Sequence, residues 1–211
     1  MSLSCQNISY KINDKNILED VKFSLNTSEH LLILGPSGSG KTTLLCIMAG
    51  LLKPNKGQVK FNGDDIYKLS STDLDNFRGQ NLGIIFQNFH LIKSLTVYQN
   101  IAIAAKFSGT EINKEKINHL LNEVGLFEKG NDKVTTLSYG QAQRIALIRS
   151  CVNKPKWIFC DEPTSALDDI NTEKLLTLLK NEAKQNKSSL IIVTHDQRVK
   201  NYFDKNHILT L

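Results

Sequence analysis

The sequence lacks any apolar run long enough to cross a membrane. Its longest apolar stretch, Leu44 to Leu52, is well short of the roughly 20 residues that a spanning helix needs. The N-terminus also lacks the pattern of a cleavable signal peptide. We therefore expect no direct membrane insertion, and any membrane association is expected to come through a partner.

Cysteine is scarce as well. The four cysteines, Cys5, Cys46, Cys151 and Cys160, have neither C-x-x-C spacing nor a neighbouring histidine cluster, so they do not indicate a metal site. Cys46 and Cys160 stand in apolar runs, where a free thiol behaves as a small hydrophobic group. Reduced cysteines in a cytoplasmic protein are the interpretation that fits this pattern.

A basic stripe is the third absence. The 211 residues carry a net charge of +5, with acids and bases interspersed along the chain. A nucleic-acid surface requires clustered lysines and arginines, so no nucleic-acid partner is expected. The length predicts one domain, or one domain with a small appended subdomain.

What the sequence does contain is a glycine-rich loop between a predicted strand and a predicted helix. Residues 31–34 are wholly apolar, residues 35–42 read G-P-S-G-S-G-K-T, and residues 43–49 favour a helix. This is the context of a phosphate-binding loop, in which backbone N–H groups and a helix N-terminus surround phosphate oxygens. Lys41 would reach the terminal phosphates and the Thr42 hydroxyl would ligate Mg²⁺. The chain is predicted to bind a nucleoside triphosphate through Gly35, Pro36, Ser37, Gly38, Ser39, Gly40, Lys41, Thr42 and Thr43.

Strands and helices alternate around this loop, which predicts an α/β fold with a mainly parallel sheet. Leu3 to Tyr10 and Ile17 to Leu25 are predicted to pair as an N-terminal antiparallel β subdomain. Residues 87–136 interrupt the alternation and are predicted to form a small α-helical subdomain, with helices over Thr96 to Phe107 and Asn113 to Val124.

Two shorter elements complete the prediction. A helix over Ser71 to Phe77 is expected to begin with a capping-box pattern at Thr72 and Asp75. A final strand is expected over His207 to Leu211. Tyr10 has two interpretations, an adenine-stacking ring or an ordinary strand aromatic.

Polar residues follow three predicted strands. Gln87 follows 82–86, Asp161 and Glu162 end 157–162, and His195 follows 190–194. In a parallel sheet the carboxyl ends of the strands lie at one edge, where ligands bind. We therefore expect these side chains to meet at the phosphate loop, although each alone is compatible with a plain strand end.

Ser138 and Gln141 have the spacing of a reciprocal capping box at the start of a helix over Ala142 to Val152. The pattern fits an ordinary helix start or a second anion-binding helix N-terminus, with Gly140 allowing close approach. Residues 163–168, ending in Asp168, form a predicted tight loop before another amphipathic helix.

In this order, the motifs resemble those of the nucleotide-binding subunit of an ATP-binding cassette (ABC) transporter, over nearly the whole chain. By resemblance, 35–42 is Walker A, Gln87 the Q-loop, 137–141 the signature, 158–162 Walker B, 165–168 the D-loop and His195 the switch histidine. The signature ahead of Walker B is specific to this family, whereas Walker A alone is not. One departure stands out, because Tyr139 replaces the first glycine of the usual Leu-Ser-Gly-Gly-Gln. It bears on loop geometry and turnover rate.

The resemblance implies an ATPase with the cofactors ATP and Mg²⁺. Tyr10 would be the adenine platform, Glu162 would activate water, and His195 would hold the γ-phosphate. Asp161 would join Thr42 at Mg²⁺, and Gln87, also a catalytic candidate, would place its amide on Mg²⁺ or on the attacking water. Ser138, Gly140 and Gln141 would contact ATP bound by a second copy packed head to tail, with Asp168 communicating across the interface. The implied fold is one ABC ATPase domain, 1–211, with 1–86 and 137–211 as core.

The implied partners are an integral membrane permease gripped near Gln87 and a second copy of the chain, at the inner face of the cell membrane. Residues 82–91 and 95–97, with Asn100, are similar to those of the lipoprotein-release and macrolide-export (LolD/MacB-like) subgroup. An importer or cell-division ATPase, and a soluble ABC ATPase acting on ribosomes or DNA, are the alternatives. A small-molecule kinase with the same loop is disfavoured by Ser138 to Gln141.

Overall fold

The computed structural model describes residues 1–109, 114–203 and 208–211, and it confirms the predicted α/β class. The strands are β1 Ser2–Ile12, β2 Lys15–Asn26, β3 Leu31–Leu34, β4 Lys56–Phe61, β5 Asp64–Asp65, β6 Leu82–Ile85, β7 Trp157–Asp161, β8 Ser189–Thr194 and β9 Ile208–Thr210. The α-helices are α1 Lys41–Met48, α2 Ser71–Asn81, α3 Val97–Phe107, α4 Lys114–Glu123, α5 Tyr139–Cys151 and α6 Asp169–Asn186.

The strands form two sheets. The antiparallel sheet has the order β2-β1-β4-β5, and the five-stranded sheet has the order β6-β7-β8-β3-β9. Every pairing in the second sheet is parallel. The carboxyl ends of β3, β6, β7 and β8 therefore lie at one edge, as the strand-end residues predicted.

Burial on both faces explains the continuous apolar runs within the central strands of the parallel sheet, such as residues 190–193 of β8. Side chains of β8 alternate between two hydrophobic clusters: Ile191 and Val193 pack with α1 and the antiparallel sheet, whereas Leu190 and Ile192 pack with α6. The sheet is thus covered on both sides, which fixes the register of the strands that carry the site.

The helices of the predicted insert share a third cluster with α5. Ile101 of α3 and Ile117 of α4 pack against Ile145 and Ile148. The boundaries at 87 and 136 stay a prediction, because the core of the insert includes residues beyond them. The predicted first residue of α4, Asn113, and of the last strand, His207, lie outside the described residues.

The predicted cap of α2 is wrong. Its N-cap is Ser70, whose hydroxyl accepts the N–H of Asp73 at 3.1 Å. The pattern at Thr72 and Asp75 matches the same rule two residues later, so side-chain type alone does not select between the two starts.

Each described helix is too short or too polar to cross a membrane.

Candidate functional site

The phosphate-binding loop joins β3 to α1 with its lysine turned inward. The side chain of Lys41 is only 5% exposed, and its ammonium donates to the carbonyl oxygens of Gly35 and Pro36, both at 2.9 Å. Gly38 and Gly40 have φ of 84° and 94°, a conformation that glycine adopts without strain. A Cβ on Gly40 would lie 2.8 Å from the Ile17 carbonyl oxygen, so packing also requires this glycine.

The other residues predicted to bind the nucleotide lie in the same loop or at the start of α1, and their contact with a nucleotide stays a prediction. Pro36, Ser37 and Gly38 are exposed, the Ser39 N–H donates to the Pro36 carbonyl at 3.2 Å, and Thr43 lies in the first turn of α1.

The candidate adenine platform, Tyr10, is half-buried in β1 opposite Leu18. A Leu18 methyl lies 2.8 Å from the position of a Cβ on Gly40. Tyr10 is therefore on the strand next to the one that contacts the start of α1. Its role in stacking on adenine stays a prediction.

Thr42 and Asp161 form the oxygen pair predicted for Mg²⁺. The Thr42 hydroxyl lies 2.9 and 3.1 Å from the two carboxylate oxygens of Asp161, which is at the buried carboxyl end of β7. Burial raises the pKa of Asp161 and outweighs the hydrogen bond from Thr42. Hard oxygen donors that leave most positions to water and phosphate suit Mg²⁺, so the donor set fits this ion.

Asp161→Asn is expected to stabilise the ligand-free fold. A carboxyl whose pKa is raised on folding binds its proton more tightly in the folded state, so its ionised form at neutral pH lowers the free energy of unfolding. Asparagine keeps the size of the side chain and removes the charge.

The Tm of Asp161→Asn should exceed that of the wild type by an order of a few degrees at neutral pH, measured by calorimetry without nucleotide. The difference should shrink as the pH falls towards about 4, where aspartate protonates. The added stabilisation by Mg²⁺-ATP over ATP alone should be lost. A lower Tm for Asp161→Asn at neutral pH would contradict this account.

Glu162 turns out of the strand at the residue after Asp161. Successive side chains of a strand point to opposite faces, but Glu162 has φ of 48°, a left-handed conformation that breaks the alternation. Both acids consequently face the loop, since Asp161 contacts Thr42 and a Glu162 oxygen lies 3.5 Å from the Lys41 ammonium.

The Glu162 carboxylate also contacts two residues at the end of β8. The Thr194 hydroxyl donates at 2.8 Å, and Nδ1 of His195 lies 2.9 Å from the other oxygen. Burial alone would raise the pKa of Glu162, but hydrogen bonds from His195 and Thr194 outweigh it and hold the pKa below its usual value. Glu162 is therefore ionised at neutral pH and able to accept a proton.

Gln87 and Asp168, the predicted Q-loop and D-loop residues, each make a hydrogen bond within the chain. The exposed Gln87 amide donates to the Ser165 hydroxyl at 3.5 Å, which places it beside the loop before α6. Asp168 caps α6, accepting the N–H of Asn171 at 2.8 Å. Their roles at Mg²⁺ and across an interface stay predictions.

The predicted capping box at Ser138 and Gln141 is confirmed, with bonds of 2.9 and 3.3 Å. A Cβ on Gly140 would meet no described atom within 4 Å. Packing therefore does not require glycine at this position, and the contact of Gly140 with ATP stays a prediction. The Tyr139 ring, 46% exposed, lies 4.9 Å from that of Phe89.

Three side chains that the sequence did not single out connect the site. The buried Gln143 amide donates to the Pro163 carbonyl at 2.6 Å, so α5 is tied to the loop after Glu162. Arg149 donates to the carbonyls of Phe89 and His90 at 2.6 and 2.7 Å. Arg198 contacts Leu167 and Asp169, on either side of Asp168. Each of these three side chains joins segments too far apart in sequence for spacing to reveal the contact.

Comparisons with known proteins agree with this geometry. A family model described as ABC transporter matches residues 18–165. The lipoprotein-releasing system ATP-binding protein LolD of Wigglesworthia glossinidia brevipalpis is 39% identical over 209 residues, covering 96% of this chain and 91% of its own. The macrolide export ATP-binding/permease protein MacB of Shewanella sp. (strain W3-18-1) is 38% identical over 90% of this chain and 29% of its own.

A solved structure extends the likeness to the fold. The dimeric post-hydrolysis state of the ATP-binding cassette MJ0796, bound to ADP and Pi, has a TM-score of 0.88 and 32% identity, covering 99% of this chain and 94% of that one.

Proposed function

Because this chain belongs to the ABC transporter family, as an ATP-binding subunit of the LolD and MacB type that binds and hydrolyses ATP, we propose that it powers a transporter of the lipoprotein-release or macrolide- and peptide-export type. The observation that carries the proposal is that the chain has both a cluster of reactive side chains at the phosphate loop and a helix start suited to contact a second nucleotide. The Thr42, Asp161, Glu162 and His195 side chains meet at the phosphate loop, while the N-terminus of α5 is kept free at Gly140.

Two copies would complete each site. The start of α5 is held against its own chain by the contact of Tyr139 with Phe89 and by the bond from Gln143 to Pro163, so it would be presented in a fixed position to a phosphate bound by a second copy. A head-to-tail second copy would bring Ser138, Gly140 and Gln141 to the γ-phosphate of the first, as the dimeric neighbour supports. Asp168, at the start of α6, would lie between the two sites.

Hydrolysis would then use groups already aligned. Lys41 and the loop N–H groups would bind the phosphates and stabilise the charge that develops on them. Glu162 would accept a proton from the attacking water, and His195 would hold the γ-phosphate after leaving Glu162. Mg²⁺, held by Thr42 with Asp161 and Gln87, would neutralise phosphate charge when bound.

A groove beside Gln87 fits the permease contact. It has a volume of about 430 Å³ and is lined by residues that include Asn88, Phe89, Leu91 and Thr135. Arg149 fixes its Phe89–His90 wall against α5, so a push on the groove would reach the helix that carries Ser138. The subunit would be peripheral at the cytoplasmic face of the membrane, held there by the permease.

The test is purification of the tagged chain from detergent-solubilised membranes, with mass spectrometry of the proteins recovered. We expect a stoichiometric partner with about four spanning helices and a large extracytoplasmic domain. Asn88→Arg should lower its recovery, because it places a bulky charge in the groove, while Asn181→Arg on the exposed face of α6 should not. A six-helix permease would indicate an importer, and recovery only with ribosomes or nucleic acid would overturn the transport role.

A further inference from the structure

One arginine joins the segment after His195 to the loop before α6. The Arg198 guanidinium donates from Nε and Nη2 to the two carboxylate oxygens of Asp196 at 2.9 and 2.7 Å. Its other donors reach the Leu167 carbonyl at 3.2 Å and the Asp169 carboxylate at 2.6 Å. Leu167 and Asp169 flank Asp168 directly, so Arg198 holds the D-loop residue from both sides.

The same network continues to the proposed base. The Asp196 N–H donates to the Thr194 hydroxyl at 3.0 Å, and that hydroxyl donates to Glu162 at 2.8 Å. The fully buried Thr164 donates to the Asp196 carboxylate at 2.8 Å. A continuous series of hydrogen bonds therefore runs from Glu162 through Thr194, Asp196 and Arg198 to the residues around Asp168.

The charges favour a fixed geometry. The hydrogen bonds from Arg198 lower the pKa of Asp196 to about 2, so the pair stays ionised across the neutral range. The planar guanidinium gives a forked, charge-assisted contact that an ammonium cannot reproduce. The link between the two segments therefore depends on the shape of the arginine side chain as well as on its charge.

We propose that Arg198 is a positioning residue for ATP hydrolysis, which fixes Asp168 relative to Glu162 so that contact across the dimer interface aligns the base. This inference rests on the proposed role of Asp168 in a head-to-tail dimer. It assigns to Arg198 a contribution to the rate of the chemical step, and none to the binding of ATP to the phosphate loop, which Arg198 does not touch.

The alternative is an ion pair that only adds stability. Exposed ion pairs contribute little to stability, and the Arg198 side chain is 39% exposed. A stability role would lower Tm and leave kcat per folded molecule unchanged. A positioning role would lower kcat and leave KM for ATP unchanged, so steady-state kinetics on folded protein separates the two.

The experiment compares Arg198→Gln with Lys200→Gln, which removes the same charge from the same short 3-10 helix, Gln197–Tyr202. The Lys200 side chain makes no hydrogen bond or ion pair within residues 1–109, 114–203 and 208–211. For Arg198→Gln we expect kcat to fall by about three- to thirtyfold, with KM for ATP within about twofold of the wild type. The kcat of Lys200→Gln should match that of the wild type. Arg198→Lys should lower kcat as Arg198→Gln does, and it replaces Arg198→Gln in the test if that variant does not fold.

A double-mutant cycle separates this inference from the proposed function. Asp168→Asn keeps an N-cap for α6 but removes the charge. If both roles hold, Asp168→Asn lowers kcat and adding Arg198→Gln lowers it little further, because both changes act through one residue. An Asp168→Asn variant with normal kcat would contradict the proposed role of Asp168. A reduced kcat for Asp168→Asn beside a normal one for Arg198→Gln would overturn only the inference about Arg198.

Discussion

Glu162→Gln is expected to lower kcat for ATP hydrolysis by about 10²–10⁴-fold, the contribution typical of a general base. The glutamine amide keeps the size of the side chain and can still accept the Thr194 hydroxyl, which lies 2.8 Å from the carboxylate. It cannot take a proton from water. ATP binding should be retained, because the contacts of Lys41 with the loop carbonyls do not involve this residue.

Loss of ATP hydrolysis in Glu162→Gln should also make the ATP-bound dimer long-lived enough to observe. With ATP bound and not consumed, Glu162→Gln should form an ATP-dependent dimer, measured by size-exclusion chromatography with light scattering. Glu173→Gln, an exposed glutamate on α6, is the matched control and should hydrolyse ATP normally as a transient dimer. Wild-type phosphate release by Glu162→Gln would rule out Glu162 as the base, and a monomer that binds ATP would count against the head-to-tail arrangement.

Lys41→Ala is expected to weaken ATP binding itself. The ammonium is buried and already directed at the loop carbonyls, so it meets the terminal phosphates without first being desolvated. A hydrogen bond to a charged group contributes about 1.5–3 kcal/mol, which corresponds to a rise in Kd of roughly ten- to a hundredfold. Removing the ammonium also leaves the Gly35 and Pro36 carbonyl oxygens without this donor.

Calorimetric titration in the Glu162→Gln background measures this affinity without hydrolysis. Lys53→Ala, an exposed lysine after α1, controls for the loss of one positive charge. Circular dichroism and Tm would show whether the Lys41→Ala fold is intact. An unchanged Kd in folded Lys41→Ala protein would show that this lysine does not contact the nucleotide.

The fold and the convergence of the site were predictable because their signals are local and periodic. The apolar strands have no polar face to expose, which indicates a covered parallel sheet, and such a sheet brings Gln87, Asp161 and His195 to the edge occupied by the loop. The capping box at Ser138 was visible because its two members are three residues apart.

What the sequence did not reveal depends on contacts between distant segments or on a single backbone angle. Arg198 reaches Leu167 and Asp169 only because the segment after β8 lies beside the start of α6. Gln143 is one polar residue in an otherwise ordinary helix until Pro163 is placed against it. At α2 the patterns beginning at Ser70 and Thr72 satisfy the same capping rule, so side-chain type did not distinguish them, and the helix begins after Ser70.

The left-handed backbone at Glu162 has a consequence for anyone who redesigns this sequence. Such a conformation costs a residue other than glycine about 1–2 kcal/mol, but glycine in its place would also remove the carboxylate that Thr194 and His195 contact. At the adjacent Asp161 no such compensation outweighs the burial of the charge, so a procedure that optimises thermal stability alone would select asparagine there and discard the residue proposed to hold Mg²⁺. At Asp161, selection for activity and selection for stability therefore favour different residues, whereas at Glu162 the hydrogen bonds offset the backbone strain.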